Sequence, residues 1–406
     1  MSSCGQIRSL PHFLSFSSYP HISLTLYPSI NHFDQSLTQS RLKNVPRTDF
    51  PVASPVSLNT KGHVPTYKRL REIPVVKSCQ IKLGIEDVSL QLGIPHFEIV
   101  QIDSRFPSAA INTHSSFRAL IQPEKAGDTK EIYERCRAEV AAINLFFPDI
   151  QAEATQLCMA AWLAANCAAD DFLESMPLAS GIAALKETIS NLQENKEDIS
   201  PDNGVARILF LFQSYCSQHL DLSEDVYHEL RNDMCDMCQG LLDELLFRQG
   251  VLPNTLDTYL QFRGRTMGIH PFFTLIRAMY SPIGNKCLSE LRDLQMRVSL
   301  VLGLQNDLVG LEKDRRKGET MNAVLVSLNE QAGTDVERMD SIMPVVIQDV
   351  CGIHNRCVSA AVEKYHLMVE SNGEVQNPVL ETAVLAFADT HLKWCASSKR
   401  YQAKVQ

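Results

Sequence analysis

The sequence has no uninterrupted apolar run as long as a membrane span, which argues against stable insertion in a bilayer as a helix. It has no long basic stripe, and its formal net charge is −9, so general nucleic-acid binding is not expected. The twelve cysteines follow no framework spacing. Their one close pair, Cys235 and Cys238, has no second pair at zinc-finger distance, so reduced, mostly buried thiols in a reducing compartment are expected. No alternating strand pattern recurs, and no internal repeat is present. One local absence is sharper: no Lys or Arg occurs from Ala138 to Leu185. What is there is 406 residues, 45% hydrophobic and 21% charged, ordinary for a soluble globular protein and enough for one large domain or two smaller ones.

Inside the stretch without cations lies Asp170-Asp171-Phe172-Leu173-Glu174, near the end of an apolar run from about Gln151 to Met176 that reads as a buried helix. Asp170 and Glu174 are four apart and share a face, with Asp171 beside them. Carboxylates on an apolar helix repel one another and are costly to desolvate. A hard divalent cation with oxygen ligands would satisfy them. The competing reading is the exposed end of a helix that stops at Pro177.

Residues 1–80 differ from the rest. They are rich in Ser, Pro and His, with nine basic residues against three acidic ones, and lack helical periodicity. A poorly ordered extension is the expectation; an organelle-targeting segment is the alternative, with a cytoplasmic protein otherwise. Residues 81–406 are expected to form one all-α domain, a helical bundle. Ile81–Ser104 has no assignable pattern, and Phe106–Pro123 reads as irregular chain. Helices are expected over Asp128–Phe147, the motif segment, Gly181–Gln193, Val205–His219, about Ser223–Arg248, and from Thr255 through Arg263. Gly264 and Gly268 weaken that last helix and Pro271 breaks it. Asn285–Asp314 is the longest helical run, continuing to Gly318, followed by Ser341–Glu370 and Leu380–Ser397.

A second constellation lies in that longest run. Asn306, Gly310 and Asp314 recur every four residues, so an amide oxygen and a carboxylate two turns apart face one side, with space at Gly310 for water. Taken alone, this stretch reads more readily as a solvated helix face, given Lys313, Arg315, Arg316 and Lys317 close by.

Together these segments resemble the class I terpene synthases. Asp170-Asp171-Phe172-Leu173-Glu174 is similar to the aspartate-rich motif of fungal sesquiterpene cyclases of the aristolochene synthase type, and Asn306…Gly310…Asp314 to their second metal motif. Tyr259-Leu260-Gln261-Phe262-Arg263, followed by Gly268 and Pro271, resembles the segment carrying a diphosphate-sensing arginine and a helix break. Arg400-Tyr401 resembles the family's C-terminal Arg-Tyr pair. Gly310 stands where the family has a hydroxyl ligand, and Asp314 is one methylene shorter than the usual Glu.

The resemblance implies a Mg²⁺-dependent lyase that ionises farnesyl diphosphate and cyclises the cation to a sesquiterpene. It implies three Mg²⁺ ions, with Mn²⁺ as a substitute, held by Asp170, Asp171, Glu174, Asn306, Gly310 (through water) and Asp314. Arg263, Lys313, Arg400 and Tyr401 would bind diphosphate. Arg265 is the alternative to Arg263. Candidates for an aromatic cation-stabilising wall are Trp162, Phe172, Phe210, Tyr259, Phe272, Phe273 and Trp394, most of which should be core. Asn166, one turn before Asp170, would face the pocket floor and orient a water, or be an ordinary helix amide; His270 is a lone candidate or a core histidine. Alternatives are a cyclase for geranyl or geranylgeranyl diphosphate, a chain-elongating synthase (disfavoured without a second DDxxD), and a non-catalytic protein on a decayed cyclase fold.

Overall fold

A computed structural model describes residues 75–82, 89–96, 108–125, 127–150, 152–196, 200, 202–280, 288–372 and 379–398. Most of the expected N-terminal extension, and Arg400 with Tyr401, lie outside them. Among the described residues the fold is all-α apart from one hairpin. Strand β1 (Val75–Lys82) pairs antiparallel with β2 (Ser89–His96), Val75 opposite His96 and Lys82 opposite Ser89. Leu90, Leu92 and Ile94 alternate inward and are buried, the period of two that a half-covered strand requires. No strand was expected here, and β1 begins within the segment read as an extension.

Twelve α-helices follow among the described residues: α1 (Ser108–Ile121), α2 (Thr129–Phe146), α3 (Glu153–Glu174), α4 (Leu178–Gln193), α5 (Gly204–His219) and α6 (Glu224–Arg248). Then come α7 (Leu256–Thr266), α8 (His270–Tyr280), α9 (Leu288–Lys317), α10 (Ala323–Ala332), α11 (Val336–Asn372) and α12 (Val379–Ser397). Local chemistry sets the starts. The side chains of Asp128, Asn203, Ser223, Thr255 and Asn322 each accept a backbone N–H in the first turn of the helix they precede.

Four expectations are corrected. The segment read as irregular holds α1, whose Ile111, His114, Phe117, Arg118 and Ile121 follow helical spacing and are buried, although its Ser- and Thr-rich surface weakens the signal. Helix α10 lies where none was expected. The longest helix is α11, which contains Pro344, and not α9. Pro271 does not end α7; it occupies the first turn of α8, where proline needs no N–H partner.

Helix α9 packs against α7, α10, α11 and α12, while α3 packs against α1, α2, α5 and α8. Ala160, Ala161, Ala164, Ala165, Ala168 and Ala169 are all buried on α3, and such small residues let neighbouring helices approach closely. Aromatic rings fill the interior: Phe147, Phe272 and Phe273 each pack on Phe387, as does Phe146, which also meets Trp394. Strand β2 is tied to α11 by Asn355, whose Oδ1 accepts Gly93 N–H at 2.7 Å and whose Nδ2 donates to the Gln91 carbonyl at 3.0 Å.

Two buried histidines make the fold acid-sensitive. Burial lowers His354 to about 4, and burial together with the charge of Arg263 lowers His391 to about 3. The unfolded chain protonates both near the ordinary imidazole value of about 6.5, so it binds more protons than the folded chain below that pH. Stability therefore falls as pH drops from 6.5 towards 4, by about 2 kcal/mol per histidine at pH 5. Urea unfolding at pH 7.5 and pH 5.0 should show a lower midpoint in acid; equal midpoints would contradict the assignment.

Candidate active site

Asp170 lies at the end of α3, half-buried, while Asp171 and Glu174 are exposed. The acids thus mark a helix end, and that end carries crowded negative charge. The Glu174 carboxyl is held above the usual carboxylate range by partial burial, then by Asp170, Glu319 and Asp171, with Lys317 opposing. The end of α3 therefore sits beside the chain leaving α9.

The interior of the site is organised by Asp307, which sequence reasoning passed over in favour of its neighbour Asn306. Its side chain is 1% exposed. Tyr259 donates its O–H to Asp307 Oδ2 at 2.9 Å, and Arg263 donates Nε–H and an NH2 hydrogen to Oδ1 at 3.1 and 2.7 Å. The Ala323 N–H, at the start of α10, donates to Oδ2 at 3.1 Å. Burial holds the Asp307 carboxyl above the usual carboxylate range, and these four donors offset that only in part. Burial disfavours the charge on Arg263, but Asp307 outweighs it and keeps the guanidinium protonated.

Arg263 also donates from NH1 to Thr266 Oγ1 at 3.0 Å. Three of the roughly five guanidinium N–H groups are thus engaged, leaving two for another oxygen ligand. Gly303 makes room for this side chain, since a Cβ there would lie 2.9 Å from Arg263 Cγ. Arg265 points elsewhere and donates to Asp243 Oδ2 at 2.6 Å. The two arginines thus differ in the acid that each one meets.

Asp314 is buried. Its Oδ2 accepts Asn322 Nδ2–H at 3.0 Å and its Oδ1 lies 3.1 Å from Lys313 Nζ. Asn322 also donates to the Asp307 carbonyl at 2.8 Å, so one amide joins the end of α9 to the start of α10. Asn306 is half-buried and Gly310 buried on the same helix.

Glu244 on α6 was not singled out from the sequence. Burial raises its carboxyl to about 7; Asp170 adds to the shift, Arg263 and Arg248 oppose it, and Asp307 adds a little. Groups from α3, α6, α7 and α9 therefore share one electrostatic neighbourhood. A signal was available: Leu241-Leu242-Asp243-Glu244-Leu245-Leu246 sets two acids in an apolar run, as Asp170 and Asp171 are set.

The aromatic candidates divide. Trp162 is buried against Phe212. Tyr259 serves Asp307, and Phe272 and Phe273 join the ring cluster on Phe387. Phe172 and Phe210 are half-buried. His270 is a core histidine, with Nδ1 3.3 Å from Asp236 Oδ2 and Nε2 3.3 Å from Ser299 Oγ. Asn166 does face inward, but its Nδ2 donates to the Met267 carbonyl at 3.2 Å.

Among the described residues, one group of three His, Cys or acidic side chains has its ligand atoms within 4.8 Å of one another: His114, Cys136 and Glu139, on α1 and α2. Arg118 already pairs with Glu139, and His114 Nε2 lies 2.8 Å from the other carboxylate oxygen. This trio reads as a charge-balanced pin between two helices. The three acids ending α3 do not close to that spacing, so a cation there would draw further ligands from outside the motif.

Residues 161–346 match terpene synthase family 2, C-terminal metal binding, a span that holds both acidic constellations and Arg263. No curated protein sequence matches the chain. The fold is similar to that of linalool/nerolidol synthase from Streptomyces clavuligerus, solved with 2-fluorogeranyl diphosphate, at TM-score 0.55 and 17% identity over 75% of this chain and 100% of that one. It is also similar to 2-methylisoborneol synthase from Streptomyces coelicolor A3(2), solved with Mg²⁺ and geranyl-S-thiolodiphosphate, at TM-score 0.58 and 14% identity over 77% and 98% of the two chains. The family match takes in both acidic segments and Arg263, and the helices that carry them are arranged as in these two enzymes.

Proposed function

We propose that the protein ionises farnesyl diphosphate with Mg²⁺ and cyclises the resulting cation to a sesquiterpene. The observation that carries the reading is the convergence of Asp170, Glu244, Arg263 and Asp307 from four helices: acids in excess, with one guanidinium oriented among them by Asp307. The donor set fits a hard divalent cation, because the acids are oxygen donors and Asp170 crowds both Glu174 and Glu244 with like charge. Asp170, Asp171 and Glu174 would hold Mg²⁺ from α3, and Asn306 and Asp314 from α9, with water completing the shell at Gly310. Three ions, replaceable by Mn²⁺, are proposed. When bound, the metal neutralises the diphosphate and makes it a competent leaving group.

The chain's own residues do the rest. Arg263, fixed by Asp307 and Thr266, offers its two remaining N–H groups to diphosphate oxygens. Lys313, Arg400 and Tyr401 complete the clamp. Such preset donors stabilise charge as it develops on the leaving group. The rings around Phe387 supply an apolar, water-excluding wall with faces suited to a cation.

A geranyl substrate is the second reading, favoured by the C10 ligands of the two similar enzymes. Incubation with geranyl, farnesyl and geranylgeranyl diphosphate, with and without Mg²⁺, followed by gas chromatography and mass spectrometry, separates them. A Mg²⁺-dependent cyclic C15 hydrocarbon or alcohol is expected from farnesyl diphosphate. A C10 or C20 product alone would overturn the chain length.

A further inference from the structure

The junction between α7 and α8 is held from outside by one helix. Gly268 has φ +58°, a backbone conformation that side-chain-bearing residues rarely adopt, and a Cβ there would come within 2.9 Å of Asn166 Oδ1 and 3.0 Å of Met237 Sδ. The two carbonyls that the junction frees are both taken by α3. Trp162 Nε1 donates to the Gly268 carbonyl at 2.6 Å, and Asn166 Nδ2 donates to the Met267 carbonyl at 3.2 Å. Trp162, Asn166, Asp170 and Glu174 succeed one another every four residues, along one slowly winding stripe of α3. The helix ending in the acidic motif thus reaches, with the two preceding members of that stripe, the junction one turn beyond Arg263.

We propose that Trp162 and Asn166 are positioning residues: their N–H groups fix the Met267 and Gly268 carbonyls, and so hold the acids of α3 and the guanidinium of Arg263 in one register. This rests on the proposed function for its catalytic consequence, though not for its structural one. The far side of the junction is braced separately by His270, through Asp236 and Ser299. Loss of the α3 contacts should therefore shift the junction without unfolding α8.

Two variants remove the donors, Asn166→Asp without change of shape and Trp162→Phe with a smaller ring in a buried site. Trp162→Phe deletes the N–H and keeps an aromatic ring; Asn166→Asp is isosteric and, when ionised, sets a carboxylate against the Met267 carbonyl. Both should keep the wild-type helical circular dichroism. Hydrogen exchange of peptides spanning 262–272 should be faster in both than in wild type, and addition of Mg²⁺ with inorganic diphosphate should slow it in wild type more than in the variants. With the prenyl diphosphate that wild type turns over, kcat should fall at least about tenfold while KM changes little, since a small misplacement of reacting groups is costly. Unchanged exchange across 262–272 in both variants would overturn the inference, whether or not wild type is active. Faster exchange with undiminished kcat would overturn the catalytic part. Failure of wild type to turn over any prenyl diphosphate would overturn the proposed function and leave exchange to decide the positioning role.

Discussion

Asp307→Ala should lower the free energy of unfolding by about 3–5 kcal/mol, because it strands a guanidinium that is largely buried with its partner. Tyr259 would lose the acceptor for a buried hydroxyl, and the first free N–H of α10 would lose its cap. Arg263→Ala should cost a comparable amount from the other side, leaving Asp307 with Tyr259 and the Ala323 N–H alone. The double variant should cost less than the sum of the two single changes, since the second removes a group already stranded. Chemical denaturation of the four proteins gives the cycle directly. A single-variant loss below about 1 kcal/mol would mean that the pair is solvated, and that Arg263 is not oriented as described.

The second large effect is on turnover, with the opposite signature in stability. Asp170→Ala and Asn306→Ala should each lower kcat/KM by about 10²–10³-fold or more, since each removes a group proposed to hold charge opposite the leaving diphosphate. Asp170 stands at a half-exposed helix end and raises the carboxyls of Glu174 and Glu244, so its removal should cost far less stability than that of the buried Asp307. Steady-state kinetics on folded variants tests this. Full activity in both would remove the two constellations from the reaction.

These two effects separate what spacing reveals from what packing decides. Asp170 with Glu174, and Asn306 with Asp314, are legible because four-residue spacing places them on a helix face wherever that helix lies. Asp307 and Glu244 are not, because their roles depend on helices distant in sequence: Asp307 receives donors from Tyr259 and Arg263, and Glu244 senses Asp170. The same division runs through the fold. Helices with apolar stripes and clear caps, such as α2, α5 and α6, were legible nearly to the residue. Helix α1 was hidden by Ser, Thr and Asn, which favour caps and turns until burial of Phe117 and Ile121 overrides them. The hairpin was hidden because only Leu90, Leu92 and Ile94 alternate, a pattern short enough to pass for coil. Pro271 was legible as punctuation, but its side of the break was not: proline ends one helix and opens the next with equal ease, and Gly268 with the α3 donors fixes which.

The account's central claim is metal-dependent ionisation of an allylic diphosphate, and release of inorganic diphosphate tests it most directly. The purified full-length protein would be mixed with geranyl, farnesyl or geranylgeranyl diphosphate, with Mg²⁺ or with chelator, and diphosphate release followed in a coupled assay. The account predicts release with Mg²⁺, fastest for farnesyl diphosphate, and none with chelator. No release from any of the three by a folded protein, or release that persists in chelator, would contradict it.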